Sequence, residues 1–325
     1  MGVASVELMS GAPRFSLRQL AYFVAIAEAG TISEAAQRLH ISQPAVSLAL
    51  NDLERALKVQ LCVRRKAHGV TLTPTGTQVL HRARRLLRQA EDLEGEAGAG
   101  EGALAGVLSL GCYVTLAPTV LPPLLQGFSA LHPGLTVDFA EATQDVLQRR
   151  LLSGELDLAV IYDMDVLPEM ARAELFTMRP HILLPADHPL ADRESVSLHE
   201  LAEEPMVLLD AAPSSHHALG LCHAFGLVPR VRYRPTSYEV ARALVGRGMG
   251  FSILVQRPSN DRTYEGFRVV IKEIAEPVRA EAVLLAWPRA VTLNRRAEEF
   301  LRYCRRAALP AGARPEPFGA QESQA

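Results

Sequence analysis

Residues 43–51 place short polar side chains one helical turn apart, a spacing that suits contact with a groove of nucleic acid. Gln43, Ser47 and Asn51 recur every four residues and so fall on one helix face, beside Pro44 and Leu48. A glutamine or asparagine amide forms paired hydrogen bonds with adenine, and a serine hydroxyl bonds to either kind of base edge. This face therefore predicts direct reading of bases in the major groove of double-stranded DNA.

The elements that would hold this face are two short helices joined by a tight turn. Thr31 and Glu34 have the spacing of a capping box, in which each side chain satisfies a free N–H of the first helix. Ser42 is the expected cap of the second helix, with Pro44 in its first turn, where a missing N–H costs little. The second helix carries one apolar stripe, formed by Val46, Leu50, Leu53 and Leu57. The pattern predicts a helix-turn-helix, and an ordinary helical hairpin in a core is the alternative.

The distribution of charge supports a nucleic-acid partner. Residues 14–90 contain 12 Lys and Arg against 4 Asp and Glu, whereas residues 91–325 contain 22 against 31. A basic segment on an acidic remainder indicates a polyanion bound at one end only. Two strand-like runs at 60–64 and 70–73 flank a basic tip, which predicts a wing along the phosphate backbone. The predicted phosphate contacts are Arg38, Arg64, Arg65 and Lys66.

A long helix is predicted after the wing, capped by Thr73 and opened by Pro74. Steps of four and three residues, as in a coiled-coil seam, separate Val79, Ala83, Leu86, Ala90 and Leu93. Because the sequence offers this helix no neighbouring apolar partner, we expect it to pair with itself in a homodimer or homotetramer, with a core stripe as the alternative. The glycine-rich residues 96–106 are expected to form a hinge.

Beyond residue 106, strand-like runs alternate with helical ones, a pattern that predicts an α/β fold with a parallel sheet and helices on its faces. The first set has the order β-α-β-α-β over residues 107–161, and a second set follows over residues 181–254. Two later strands and a helix at 295–307 complete the pattern. Residues 309–325, rich in Pro, Gly and Ala, are expected to be disordered.

The chain resembles the LysR family of bacterial transcriptional regulators over residues 16–308. The resemblance is carried by LRQLAYFVAIAEAGTISEAAQRLHISQPAVS at 17–47 and VRRKAHGVTLTPTGTQVL at 63–80. In the remainder it is carried by SGELDLAV, DHPLA and ALVGRGMGFSILVQ. It departs from the family pattern at Leu48, where many members have a polar or basic residue, and at Cys62, which replaces a common phenylalanine. A leucine at position 48 could instead contact a thymine methyl group.

The resemblance implies a winged helix-turn-helix at residues 16–73, a dimerising linker helix at 74–95 and an effector domain at 107–308. That domain is expected to resemble a two-lobed periplasmic binding protein that holds a ligand between its lobes. The first lobe would comprise residues 107–176 and 275–308, and the second lobe residues 177–274.

The candidate effector-binding residues lie beyond the carboxyl ends of the predicted strands, where open α/β sheets bind ligands. They are Tyr113, Thr115, Thr143, Gln144, Tyr162, Asp210, Ser214 and Ser237. By the resemblance, Thr115 and Gln144 match positions that hydrogen-bond effectors in relatives. Hydroxyls and free helix N–H groups suit a carboxylate, so the expected ligand is a small organic acid or an amino acid. Threonine and serine are also ordinary helix caps, which is the alternative for each position.

Other classes of protein are less well supported. Four cysteines, at positions 62, 112, 222 and 304, have no paired spacing, and residues 1–14 lack the pattern of a signal peptide. We therefore expect a cytoplasmic protein without a membrane span, cofactor or metal, and RNA polymerase as a partner if the protein activates transcription. Cys112 is a candidate redox sensor that has no resolving cysteine nearby. The alternatives are a solute-binding protein, which would need a secretion signal, and an enzyme, which would need a recognisable nucleophile and base.

Overall fold

The computed structural model describes residues 13–65, 69–98 and 104–307. Contacts divide the chain into two compact units, residues 1–106 with 152–155 and residues 107–151 with 156–325. The first unit is helical with a small β-hairpin, and the second is an α/β unit.

The first unit begins with helices α1 (Leu17–Ala29), α2 (Ile32–Arg38) and α3 (Gln43–Leu57). Gly30, at φ +71°, ends α1 in a left-handed conformation, and Thr31 Oγ1 accepts the N–H of Glu34 at 3.1 Å. The Glu34 carboxylate bonds Arg38 at 2.6 Å, so only the threonine half of the predicted capping box forms.

Helix α3 follows the predicted pattern with one correction. Val46, Leu50 and Leu53 are buried and pack with α1 and α2 around Leu20 and Phe23. Ser42 is the N-cap residue, but its side chain makes no cap hydrogen bond. The expected serine cap was therefore wrong, and Pro at the start of the helix removes one of the N–H groups that a cap would satisfy.

Strands β1 (Cys62–Arg65) and β2 (Gly69–Leu72) form the predicted antiparallel wing. Its tip, including Lys66, lies outside the described residues. Gly69 sits at φ +73°, where a Cβ atom would lie 2.4 Å from the carbonyl oxygen of Gly30, so only glycine fits this close approach. Val70 N donates to the same oxygen at 2.7 Å, which ties the wing to the end of α1.

Helix α4 (Pro74–Gly98) is capped by Thr73, whose Oγ1 accepts the N–H of Gly76 at 2.8 Å. The first half of α4 does have an apolar neighbour, contrary to expectation. Leu80 and Ala83 are buried in the core of α1–α3, and Val79 and Leu87 pack against it. Only the first part of the predicted seam therefore packs on the core, and Leu86 and Leu93 are exposed. The helix also continues to Gly98 instead of ending at residue 95, and residues 99–103 of the predicted hinge are outside the described ranges.

The second unit contains a five-stranded sheet with the order β4-β3-β5-β13-β6. Strand β3 is parallel to β5, and β13 is antiparallel to both β5 and β6. Three helices belong to this part, which we call the first lobe. Its elements are β3 (Gly106–Tyr113), α5 (Ala117–Leu131), β4 (Leu135–Ala142), α6 (Gln144–Leu152), β5 (Leu158–Tyr162), β6 (Met170–Met178), β13 (Glu281–Pro288) and α9 (Arg295–Arg306).

The rest of the unit, which we call the second lobe, contains a four-stranded sheet with the order β11-β7-β12-β8 and a parallel pair, β9 and β10. Apolar clusters cover both faces of strand β7, with Ile182 and Leu184 in one and Leu183 in the other. Its elements are β7 (His181–Pro185), β8 (Ser195–Val196), a 3-10 helix (Leu198–Leu201), β9 (Pro205–Val207), α7 (Ser214–Ala224), β10 (Arg230–Tyr233), α8 (Tyr238–Gly246), β11 (Ser252–Leu254) and β12 (Val269–Ile274).

Candidate DNA-binding surface and effector site

The solvent face of α3 carries the residues predicted to read DNA. Gln43, Pro44 and Asn51 are exposed, and Ser47 is half-buried. Leu48 lies among them with 59% of its surface exposed. The face therefore combines neutral hydrogen-bonding groups with one apolar side chain, a composition that matches base edges and thymine methyl groups.

The basic residues around this face are described to different extents. Arg38 is exposed on α2 and pairs with Glu34. Arg64 and Arg65 lie on β1, with side chains outside the described part, and Lys66 is outside it altogether.

The sequence analysis missed Glu54, which positions the wing. Its Oε1 accepts the N–H of Leu61 at 2.7 Å and the N–H of Cys62 at 3.0 Å. One carboxylate on α3 thus fixes the start of β1, and wing and recognition helix are held in one arrangement. Nothing in the sequence signalled this role of Glu54, because its partners are backbone N–H groups, which do not depend on residue type.

Tyr113, at the end of β3, joins the two lobes. Its fully buried hydroxyl donates to the carbonyl oxygen of Ala211 at 2.9 Å and lies 2.9 Å from Ser214 Oγ. Burial raises the pKa of this phenol, so it stays neutral. Tyr113 and Ser214, both predicted as effector residues, are therefore brought together, and they hydrogen-bond each other.

Thr115 and Tyr162 are buried with hydroxyls that have no hydrogen-bond partner among the described residues. Burial raises the pKa of Tyr162 well above its ordinary value. The neighbouring Thr115 hydroxyl is close enough to offset part of that rise, although the two groups do not have the geometry of a hydrogen bond. A buried hydroxyl without a partner costs about 1–3 kcal/mol, so two of them side by side need an explanation.

Gln144, predicted as an effector residue, is hydrogen-bonded to the main chain. Its amide oxygen accepts the N–H of Tyr162 at 3.1 Å, and its NH₂ group donates to the carbonyl oxygens of Tyr162 at 3.0 Å and of Met164. The buried side chain thus fixes the main chain at the end of β5. Because both ends of the amide are used by the main chain, the structure gives Gln144 a positioning role.

The remaining predicted residues lie nearer the surface. Thr143 Oγ1 donates to Asp145 at 2.6 Å, and this bond lowers the pKa of the Asp145 carboxyl. Asp210 is exposed, 3.9 Å from Arg234. Ser237 is exposed at the N-cap of α8 without a side-chain cap bond. None of these three side chains is buried with Thr115 and Tyr162.

Three residues that the sequence analysis missed complete this region. The Gln256 amide, in the second lobe, donates to Thr119 Oγ1 on α5 of the first lobe. Tyr238 OH donates to the Gln256 carbonyl oxygen at 2.5 Å, and Gln256 Oε1 is buried without a partner. We call Thr115, Thr119, Tyr162, Tyr238 and Gln256 the junction cluster. Gln256 is the last residue of ALVGRGMGFSILVQ, a segment that carries the family resemblance, and this position was the signal from which the sequence could have identified it.

Two adjacent histidines on α7 also face the first lobe. His216 Nδ1 lies 3.1 Å from Asp165 Oδ2, and His217 Nδ1 lies 3.7 Å from Glu281 Oε1. Within the described ranges, no three side chains of the metal-ligating types come together. His216 is within hydrogen-bond distance of its carboxylate, whereas His217 is not, and burial lowers the pKa of the His217 imidazole.

All four cysteines are buried, and none of them forms a disulfide. Burial raises the pKa of Cys112, of Cys222 and, to about 12, of Cys304. Reactive cysteines need a lowered pKa and access to solvent. Cys112 has neither, which argues against its candidate role as a redox sensor.

In the described part of the chain, no helix is both long and apolar enough to cross a membrane. Comparison with known families gives two matches, one on each side of residues 78–100. Residues 17–77 match the bacterial regulatory helix-turn-helix protein of the lysR family, and residues 101–309 match the LysR substrate binding domain.

Individual proteins agree with these matches. The hydrogen peroxide-inducible genes activator of Dickeya chrysanthemi is 31% identical over 74% of this chain and 78% of its own length. The crystal structure of PA01 protein, a putative LysR family transcriptional regulator from Pseudomonas aeruginosa, is 38% identical, covers 90% of this chain and 98% of its own, and has a TM-score of 0.60. The C-terminal domain of a probable LysR family regulator from Rhodococcus sp. RHA1 is 48% identical over 62% of this chain and 99% of its own, with a TM-score of 0.61.

A helix-turn-helix domain followed by a two-lobed substrate-binding domain defines a DNA-binding regulator rather than an enzyme. The chain belongs to the LysR family of bacterial transcriptional regulators.

Proposed function

We propose that this regulator acts in the cytoplasm, reads an operator through α3 and senses a small molecule at the junction cluster. The observation that carries the sensing role is a set of three buried oxygen atoms that have no partner among the described residues. They lie where the lobes meet and are Thr115 Oγ1, Tyr162 OH and Gln256 Oε1. Native proteins satisfy nearly all buried polar atoms, and a ligand that bonds to these three would do so here.

The ligand class follows from the groups present. Two hydroxyls and the N-terminus of α5, which begins directly after Thr115 and Leu116, suit a carboxylate. Gln256 Oε1 accepts a hydrogen bond and suits an ammonium or hydroxyl group. We propose a small organic acid with a hydroxyl or amino substituent, such as a hydroxy acid or an amino acid.

The response to the ligand would be a change in the relation between the lobes. A ligand that binds one lobe arrangement better shifts the population towards it, and in a homodimer or homotetramer this changes the spacing of the DNA-binding helices. We propose that the ligand alters DNA bending more than affinity, with RNA polymerase as a partner if the protein activates transcription. A footprint of equal length and bend with and without the ligand would contradict this.

The DNA-binding role is tested by gel-shift titration of the full chain. Affinity should fall steeply with salt, because bound phosphates release counterions. Gln43→Ala should weaken binding to the operator by about 1–3 kcal/mol and leave scrambled DNA unaffected. Lys66→Ala, with an expected phosphate contact, should weaken both equally. Equal effects of both variants on both DNAs would contradict the assignment of base and phosphate contacts.

The sensing role is tested by a thermal-shift screen of organic acids and amino acids on the full chain, since a ligand that binds the native state raises the melting temperature. Thr115→Val and Tyr162→Phe should abolish the shift given by any hit. Thr263→Val is the matched control, because Thr263 also has a buried hydroxyl without a partner but lies outside the junction cluster. A hit that stabilises all three variants equally would place the ligand elsewhere.

A further inference from the structure

The second lobe contains a cavity that the proposed sensing role does not use. It has a volume of about 320 Å³ and lies among α8, β12 and the loop at residues 258–261. Its apolar lining includes Leu183, Tyr238, Val269 and Ile271. Of the junction cluster, only Tyr238 borders this cavity. The size is at the lower end of the range for small-molecule sites.

A free stretch of strand edge borders the cavity at Ile271. On the side of β12 that faces away from β7, Val269 N donates to Asp261 O at 2.8 Å and Glu273 N donates to Glu194 O at 3.1 Å. Alternate residues of a strand direct their N–H and C=O groups to the same side, so those of Ile271 point there too. Among the described residues, neither group of Ile271 has a partner, because β8 pairs only with Glu273 and Ile274.

The charged groups of the lining leave one positive charge unmatched. Arg242 is held by Glu239 at 2.9 Å and by the carbonyl oxygens of Asn260 and Arg262 at 2.6 and 3.1 Å. Asp261 pairs with Arg268 at 3.3 Å. Lys272 also lines the cavity, and no ion pair is formed by it within the described ranges. An anion would supply the missing partner.

We propose that this cavity is a second ligand site, which takes a small monocarboxylate with a compact apolar body. The apolar part would pack on Leu183, Val269 and Ile271. The carboxylate would lie at the edge of β12 and accept the free N–H of Ile271. Lys272 stands opposite Ile182, so its side chain leaves the other face of the strand and would reach round the edge to pair with the carboxylate. Tyr238 is the one residue that this site shares with the junction cluster, and the proposal does not depend on whether that cluster binds a ligand.

The test uses cyclohexanecarboxylate as the probe, with cyclohexanecarboxamide as its neutral analogue and cyclohexylmethylamine as its cationic analogue. In isothermal titration of the full chain, the carboxylate should bind at least tenfold more tightly than the amide. The amine should not bind. Lys272→Met should remove this preference, and Ser259→Trp, at the exposed rim, should block entry. Arg305→Met, which removes a charge from exposed α9, is the matched control. Thr115→Val and Tyr162→Phe should leave probe binding unchanged.

A second measurement needs no variant. The chain has lysines only at positions 58, 66 and 272, so acetylation of each is resolved by peptide mass spectrometry. The probe should slow acetylation of Lys272 at least threefold and leave Lys58 unaffected. Equal rates with and without millimolar probe, equal affinity for acid and amide, or binding lost in Tyr162→Phe but kept in Lys272→Met would each overturn the proposal.

Discussion

The phenolic oxygen of Tyr113 lies 2.9 Å from Ser214 Oγ and, at the same distance, from the carbonyl oxygen of Ala211. One buried side chain of the first lobe thus satisfies two polar groups at the start of α7 in the second lobe. The ring of Tyr162 packs edge-on against that of Tyr113, with 5.6 Å between centroids, yet its own hydroxyl has no partner among the described residues. Two neighbouring tyrosines therefore differ, because the hydroxyl of Tyr113 joins the lobes and that of Tyr162 bonds to none of the described residues.

Removing the same oxygen from each tyrosine should give opposite effects on stability. Tyr113→Phe removes the hydrogen bonds to the Ala211 carbonyl, which keeps only the N–H of Ser215, and to the Ser214 hydroxyl. The free energy of unfolding should therefore fall by about 1–3 kcal/mol. Tyr162→Phe removes an unpaired group and should leave stability unchanged or raise it. Urea unfolding of the full chain without ligand measures both. Equal losses in the two variants would show that Tyr162 has a partner in the protein.

Leu48 is expected to contribute to the choice of operator through a thymine methyl group. Burial of one methyl-sized group contributes about 0.8 kcal/mol, or roughly fourfold in affinity. Single replacement of thymine by deoxyuridine across the operator should reveal one position where wild-type binding drops by that factor. Leu48→Ala should bind both DNAs alike at that position. If every replacement leaves wild-type binding unchanged, Leu48 reads no methyl group.

The exposed half of α4 is expected to hold two chains together. Leu86 is 42% exposed and Leu93 70% exposed, one heptad apart, in a helix whose first half is already packed. Leu86→Glu with Leu93→Glu should convert the oligomer to monomer in sedimentation experiments. Val240→Glu, at an exposed position of α8, should leave the oligomer intact. Persistence of the oligomer in the double variant would place the interface elsewhere.

His181 should make stability depend on pH in the acid range. It is fully buried on β7, and burial, with Arg257 nearby, lowers the pKa of its imidazole from 6.5 to about 3. Below pH 6.5 the unfolded chain binds a proton that the folded chain does not, so stability is lost as the pH falls from 6.5 towards 3. The slope from this one group is about 1.4 kcal/mol per pH unit.

In His181→Leu, the free energy of unfolding should therefore fall less steeply between pH 6 and pH 4, by about 1.4 kcal/mol per pH unit. Urea unfolding at several pH values measures this slope. His223→Leu is the control, because His223 is exposed at the end of α7. An unchanged slope in the His181 variant would mean that this imidazole is protonated in the folded chain.

The cysteines should be unreactive in the folded protein, although relatives are named as hydrogen peroxide-inducible genes activators. A rise of the Cys304 pKa from 9.0 to about 12 lowers its thiolate fraction at neutral pH about a thousandfold. Peroxide should leave all four thiols reduced by mass spectrometry, and a maleimide should label them only in urea. Formation of a sulfenic acid or disulfide in the folded chain would instead indicate redox sensing.

The local signals in the sequence were sufficient for the DNA-binding half. The stripe Val46–Leu50–Leu53, the cap at Thr31 and the cap at Thr73 all depend on neighbours within one helix turn, and the structure contains them. The helix that follows was misjudged in part, because its contact with α1 joins residues more than fifty positions apart. Spacing reveals an apolar stripe, but it does not reveal what covers that stripe.

The sheet shows the same limit. Strand β6 was not predicted, since a β-bulge opposite Val283 and Leu284 breaks the alternation of buried and exposed residues along Met170–Met178. Likewise, the predicted strand ends indicated where polar side chains would lie close together, but not which groups each side chain would bond to. Gln144 and Tyr113 bond to protein groups, whereas Thr115 and Tyr162 are left without partners.

The sequence alone determined the helices and wing of the first unit and the family, because these rest on short-range spacing and on runs of matching residues. Only the tertiary structure decided that Gln256 meets Thr119, that Ile271 keeps a free edge and that Lys272 borders a cavity. Those features depend on which distant segments pack together, and on the donors and acceptors that remain once the packing is complete.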